Sequence, residues 1–425
     1  MTTRVESVLA NGRLRIPPAR LAGIAAIGLG LLAFWLALPP STTRSELVPL
    51  VIGGLGIAAG LVSWRAGETR LGWTGVCIAL LGIFGGLLAS QAAVENLKVV
   101  ITWSAVIAAT LRFATPLIFA AIGGLFSERS GVVNIGLEGM MLMGAFFGVY
   151  GGDKTDSWVL GLLIGMLAGA ALAFVHAIFS IHLRADQIVS GTAINFLALG
   201  ITGYMYIDSY GQAGTGDLPQ VPNIDLDWLK RVPPDDLGAF LEKSIGHLNL
   251  MVWLALVTVV VAWIVIFKTA AGLRIRAVGE HPRAADTVGI SVYWTRYAAV
   301  TISGALAAMG GVYLSLGFVH SFTENMTAGR GFIALAALIF GRWRPFGVLS
   351  AALLFGFASA IAPRLQNVES WATYGTLFQA IPYVLTLIAV AGVIGRSIPP
   401  AAIGRPYEKA IGGRRGAGVA RLTPR

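Results

Sequence analysis

Within the apolar stretch FAAIGGLFSERSGVVNIGLEGMMLMGAFF, residues 119–147, an asparagine and a glutamate stand four positions apart, Asn134 and Glu138. On a helix that spacing puts both side chains on one face, where an amide and a carboxylate can bind a polar solute. An ionisable group inside apolar sequence costs free energy unless it faces an interior or a water-filled cavity, which makes Glu138 a candidate for a solute pathway. The same two residues could instead bond neighbouring helices or cap a restarted helix. Asn195, within Val189–Gly200, and Asn325, in the polar turn Thr323-Glu324-Asn325, are further candidates for lining the route. Asn195 suits an interhelical hydrogen bond equally well.

Enzymatic constellations are missing from the sequence. None of the six lysines completes a G-x-x-x-x-G-K-[ST] phosphate cradle, and neither HExxH nor G-x-S-x-G occurs. The five histidines are scattered and read as interfacial or loop residues. The single cysteine, Cys77, excludes an intrachain disulfide, a cysteine-based zinc site and an iron–sulfur cluster. No metal or cofactor is expected.

The candidate residues must be positioned by elements that live in a bilayer. Of 425 residues, 56% are apolar before the 54 glycines are counted, and only 12% are charged. Mean hydropathy is +0.75, so disorder, fibrous repeats and ordinary soluble enzymes are poor fits. The long apolar runs predict an all-α, polytopic membrane protein, since a crossing needs about 20 apolar residues. Twelve crossings are expected, near 21–38, 47–64, 71–90, 100–124, 132–150, 158–181, 188–206, 249–267, 296–317, 332–341, 346–361 and 378–395. The first is read as a crossing and not as a cleaved signal, because Pro39-Pro40 and a polar turn follow it.

The tenth and eleventh runs are short, which predicts broken or re-entrant helix. Gly123-Gly124, Gly131, Gly136 and Gly139 surround a Ser-Glu-Arg-Ser turn, so a helix should break there and restart near Val132. Broken helices expose N–H and C=O groups to a polar solute. A looser echo, ALAAMGGVY at 305–313 followed by Gly329-Arg330-Gly331 and FIALAALIFG, implies two loosely repeated halves. Gly161, Gly165 and Gly169 have the spacing of a close helix-packing stripe.

With the N-terminus inside, the cytoplasmic segments hold 22 of the 31 Lys and Arg residues and the outer segments 8. That bias predicts both termini in the cytoplasm and explains the net charge of +10 without nucleic acid. The outer loop 207–248 carries four prolines and seven acids against three bases, as a docking surface or a solvated loop. The inner loop 268–295 contains a short helix-like piece, Pro282–Val288, that suggests a partner. The domain reading is a cytoplasmic N-terminus (1–20), extra crossings (21–98), a core (99–395) and a basic, disordered cytoplasmic tail (396–425).

Four segments carry a family resemblance: SERSGVVNIGLEGMMLMGAF at 127–146, LRADQIVSGTAINFLALG at 183–200, GLRIRAVGEHPRAADTVGI at 272–290 and NMTAGRGFIALAALIFGRWRPFG at 325–347. The sequence resembles the permease subunits of bacterial ATP-binding-cassette importers of the ribose, branched-chain amino acid and nucleoside group, over about residues 100–395. The E-G-M-M and A-G-R-G-F-I-A-L-A wording resembles the nucleoside branch. This likeness implies a type II importer-like fold in the bacterial cell membrane and a pathway shared with a second permease subunit. It also implies a separate cytoplasmic ATPase that hydrolyses the ATP, and an extracytoplasmic substrate-binding lipoprotein. It further implies that Glu280, Pro282, Ala284, Ala285 and Gly289 belong to a helix coupled to the ATPase, with the small Ala285 and Gly289 against the partner.

The alternatives are a permease for a simple sugar or branched-chain amino acid, and a secondary carrier cycling charge on Glu138, read as the sole acid deep in a crossing. On the importer reading, Glu138→Gln should keep the shape. Met140, Met141 and Phe113 beside Asn134, and Phe332 beside Asn325, offer the apolar surfaces a nucleoside base would need.

Overall fold

Long apolar runs leave the backbone no partner but itself, so the chain is built from helices. A computed structural model describes residues 17–36, 45–91, 102–211, 214–367, 375–384 and 398–408. In chain order the helices are α1 (Pro18–Trp35), α2 (Leu47–Arg65), α3 (Thr69–Gln91), α4 (Trp103–Arg129), α5 (Leu137–Thr155), α6 (Trp158–Ala177), α7 (Gln187–Tyr210), α8 (Asp235–Leu241), α9 (Leu250–Lys268), α10 (Ala270–Glu280), α11 (Pro282–Thr287), α12 (Val292–Val312), α13 (Arg330–Phe340), α14 (Pro345–Gln366) and α15 (Gly375–Gln379). π-helical turns extend α6 to His182 and α12 to Val319. Two three-residue strands, β1 (Asn223–Asp225) and β2 (His247–Asn249), pair with each other.

Among the described residues, eight helices are long and apolar enough to cross a membrane, and the twelve expected crossings are not all met. α13 has only 11 residues, in keeping with the short tenth run. The eleventh run is longer than expected: α14 has 22 residues and continues through Pro363. There Arg364 donates to the carbonyl of Ala360 in its own helix at 2.7 Å and to that of Ala105 in α4 at 3.1 Å. Most of the expected twelfth run lies outside the described residues.

Two compact units are present. The first takes in the described residues of Met1–Phe113, Asp225–His247 and Leu354–Ser397. There α1, α2 and α3 pack at backbone distance: a Cβ on Gly30 would lie 2.7 Å from the backbone of Ala79. In lipid, where apolar contact alone gives helices no reason to associate, such small residues supply the van der Waals surface.

The second unit takes in the described residues of Ala114–Ile224, Leu248–Leu353 and Ile398–Arg425. Its centre is α5, α6 and α12, where a Cβ on Gly161 would lie 2.6 Å from the Gly148 carbonyl oxygen, on Gly165 2.8 Å from that of Gly144, and on Gly169 2.7 Å from that of Gly304. The stripe seen in the sequence is therefore a packing seam. Gly311 of α12 abuts the Met141 carbonyl of α5, with no room for any side chain. Side-chain caps start several helices: Asp186 accepts from Ile188 and Val189, Asn249 from Met251 and Ser291 from Trp294.

The acidic loop is folded. Its strand pair and α8 surround His247, whose Nδ1 and Nε2 lie 2.7 Å from Asp225 and Glu242 respectively. Lys230 bridges Asp227 and Glu242 at 3.4 Å. Hydrogen bonds donated to Asp225 and then to Glu242 raise the His247 pKa, and the bond from His247 lowers that of Glu242. The histidine's contribution is thus full below its ordinary value of 6.5 and is lost as pH rises through the raised value. Glu242 acts oppositely, losing its contribution as pH falls through the depressed value. Amide protection in residues 225–247, taken relative to the intrinsic exchange rate at each pH, should therefore be greatest just below the histidine's ordinary pKa and lower at pH 9. His247→Gln should flatten the alkaline limb, and an unchanged profile would count against this network.

The tail is not disordered where it is described. Residues 398–408 pack on the second unit, with the Ala402 and Gly404 amides donating to the carbonyls of Gly279 and Gly131 at 2.9 and 3.1 Å. Tyr407 joins Val278, Ala285 and Val292 in a small core. Backbone pairing of this kind needs no apolar periodicity, which is why the sequence pattern misses it. Residues 409–425 lie outside the described part.

Candidate functional site

The Ser-Glu-Arg-Ser turn ends α4 at Arg129, and the chain runs without helix until α5 begins at Leu137, five residues later than the expected restart. Asn134 therefore lies in the break and not on a helix face shared with Glu138. The segment stays out of a helix because side chains from distant parts of the chain satisfy its backbone. Gln187 of α7 accepts from the Val133 amide at 2.7 Å, and His176 of α6 meets the Val133 carbonyl at 3.1 Å through Nε2. That contact makes Nε2 the protonated nitrogen, leaving Nδ1 to accept from the Ser190 hydroxyl at 3.0 Å. Asn195 of α7 accepts from the Gly139 amide at 2.8 Å and donates to the Ile135 carbonyl at 3.1 Å. His176 is thus a buried clamp, not an interfacial or loop histidine.

Asn134 is fully buried. Its Nδ2 donates to Ser303 Oγ at 2.9 Å and Met140 Sδ at 3.3 Å, while its Oδ1 has no partner. Met140 and Met141 are fully buried as well. Glu138, in the first turn of α5, reaches the other broken region: its two carboxylate oxygens accept from the amides of Gly329 at 2.8 Å and Gly331 at 2.6 Å. The carboxylate caps the positive end of α13, so its charge is balanced by oriented dipoles. Gly331 is held so closely that a Cβ would lie 2.7 Å from the Glu138 Oε2. Asn325 stands in the preceding loop at φ 54, exposed, its carbonyl accepting from the Ala328 amide at 3.0 Å. The hydroxyl of Thr327 in the same loop is buried without a partner.

A third tie escaped the sequence reading. Glu128 is a second buried acid, accepting from the Trp343 indole at 2.5 Å, and Arg129 donates to the Trp343 carbonyl at 2.7 and 3.0 Å. Trp343 lies between α13 and α14 at φ 51. The charged pair in the first break therefore anchors the turn after the second. Its signal was the Glu-Arg dipeptide itself, set in apolar sequence.

In the 280–289 segment, Glu280 accepts from the Ala401 amide at 3.2 Å and Pro282 opens α11. Ala284 is exposed. Ala285 faces inward, against Val278, Val292 and Tyr407, so its small size serves this chain's own packing, contrary to the expectation of a partner contact. Gly289 has φ 85 and open space around it; it is required by its left-handed backbone and not by a close neighbour. The exposed apolar residues here are Val288 and Trp294, each 74% accessible.

Residues 106–390 match the family model described as "Branched-chain amino acid transport system / permease component". The chain belongs to this permease family. The permease is 44% identical over 315 residues to the guanosine ABC transporter permease protein NupQ of Bacillus subtilis, covering 72% of this chain and 97% of that one. It is 39% identical to the nucleoside ABC transporter permease protein NupC of Lactococcus lactis, covering 74% and 99%. To the putative glucose ABC transporter permease protein TsgC13 of Haloferax volcanii it is 38% identical, covering 61% and 78%. No solved structure matches the chain. The permease is a multi-pass protein of the cell membrane, and α1, α2 and α3 precede the matched region.

Proposed function

We propose that this permease forms half of the pathway of an ATP-driven nucleoside importer. A second permease subunit completes the pathway, a cytoplasmic ATPase drives it and an extracytoplasmic lipoprotein delivers the solute. The observation that carries the solute class is likeness over nearly the full length of the guanosine and nucleoside permeases. Within the pathway, the unpartnered Asn134 Oδ1 and Thr327 Oγ1 are the groups offered to hydroxyl and amide donors of a passing solute. Asn195 and Glu138 hold the broken backbones in place, and Asn325 presents its side chain at the loop. Glu138 already accepts two amides, which disfavours a secondary carrier that must cycle its proton.

Both termini are assigned to the cytoplasm from the Lys and Arg bias. On that side Glu280 to Gly289 seats the ATPase, with Val288 as the apolar tip of the contact. A glucose importer is the second reading, favoured by the halophile relative. The test is uptake of labelled adenosine or uridine by the reconstituted complex, challenged with excess nucleoside, glucose, ribose or leucine. Only nucleosides should compete; competition by glucose and none by nucleosides would establish the second reading.

A further inference from the structure

Beside the Glu128-Arg129 tie lies a groove of about 700 Å³. Its walls come from the end of α9, with Trp263 and Phe267, and from the turn into α14, with Arg342, Arg344 and Phe346. Cations crowd around it. Lys268 Nζ stands 5.3 Å from the Trp263 ring centre, and Arg276 and Arg129 stand 5.3 and 5.8 Å from that of Phe267. Arg276 and Arg344 both repel Arg129, and Glu280 is the acid that offsets them. Among the described residues, no carboxylate makes an ion pair with Arg129, Lys268, Arg276 or Arg344. Arg276 Nε is buried without any acceptor.

A positive cluster with so little compensation is unfavourable unless an anion joins it. The neighbouring surface says what kind. α9 exposes Val260, Val261 and Ile264 on either side of Trp263 in sequence, an apolar surface suited to acyl chains, and Phe346 is 49% accessible at the groove's mouth. Aromatic side chains with cations at the end of a crossing are the composition of a membrane interface, where basic pockets between helices bind lipid headgroups.

We propose that this groove seats an anionic phospholipid, its phosphate among Arg276, Arg344 and Lys268 and its chains along Phe346 and the exposed face of α9. A loosely held annular lipid would exchange freely. This one is held by charge and remains with the protein.

The test uses the full-length permease, purified in a neutral detergent, delipidated and titrated by native mass spectrometry. Dioleoylphosphatidylglycerol should bind at least tenfold more tightly than dioleoylphosphatidylcholine. Arg344→Gln, at an exposed position, should weaken it about fivefold, and Arg276→Gln with Arg344→Gln about thirtyfold. Arg344→Lys should keep most of the binding, and a monodisperse elution profile shows that each variant is folded. Equal binding of the two lipids, or wild-type binding by the double variant, overturns the proposal. So does displacement of phosphatidylglycerol by millimolar inorganic phosphate, which would make the groove a site for free anions. Release of a co-purified ATPase subunit by Arg344→Gln, with lipid binding unchanged, overturns it too and makes the groove a protein contact.

Discussion

Glu138→Ala should abolish uptake and lower the stability of the purified permease by about 3–6 kcal/mol, because one buried and one half-buried amide lose a charged acceptor worth roughly 1.5–3 kcal/mol each. Those amides belong to Gly329 and Gly331, so the first turn of α13 is expected to fray. Glu138→Gln is not the shape-preserving change the sequence suggested. A carboxamide has one oxygen, and its NH2 would point at the second amide, so roughly half the loss should remain. Glu138→Asp is one methylene short of the same reach. Thermal unfolding in detergent reads the stability, and radiolabelled uptake reads the function. A wild-type unfolding temperature in Glu138→Ala would show that the cap carries no load.

Arg296→Ala should release the 398–408 segment. Arg296 is almost fully buried, and its guanidinium donates to the carbonyls of Ser130 at 3.2 Å and Arg405 at 3.0 Å. It is the single side chain joined to both the first break and the C-terminal segment among the described hydrogen bonds. The bond to Arg405 is the one that opening breaks, and losing its charged donor amounts to about 2 kcal/mol, or roughly a thirtyfold rise in the open population of the segment. Proteinase K digestion should then cut within 398–408 about thirtyfold faster, while Arg296→Lys, which keeps a charged donor, should fall between. Equal digestion of wild type and Arg296→Ala would place the hold elsewhere, in the backbone bonds of Ala402 and Gly404.

The crossings were legible because composition and length decide them: α2, α7 and α9 fall within a few residues of the runs seen in sequence. The first break was legible only in part: α4 stays helical through Gly123-Gly124 and on to Arg129, and the chain leaves the helix at Ser130 and Gly131, the latter at φ 93. The restart was not. Val132 to Ile135 has helix-compatible residues, and what keeps it out of a helix is Gln187, His176 and Asn195, tens of residues away. The eleventh run was expected to end at 361, yet α14 continues to Gln366, with the long Arg364 side chain folding back onto carbonyls. Ala285 shows the limit from the other side. A small residue in a partner-facing motif has the same letter whether it faces the partner or its own core, and only the packing against Val278 and Tyr407 tells them apart.

The seam of Gly144, Gly148, Gly161, Gly165, Gly169, Gly304 and Gly311 has a mechanical consequence. Main chains in direct contact cannot slide past one another without lifting carbonyls over methylenes, so α5, α6 and α12 are geared together. Alternating access through this permease must then turn that block as one piece. The break at 130–136 travels with the block, because His176, Gln187 and Asn195 clamp it to α6 and α7.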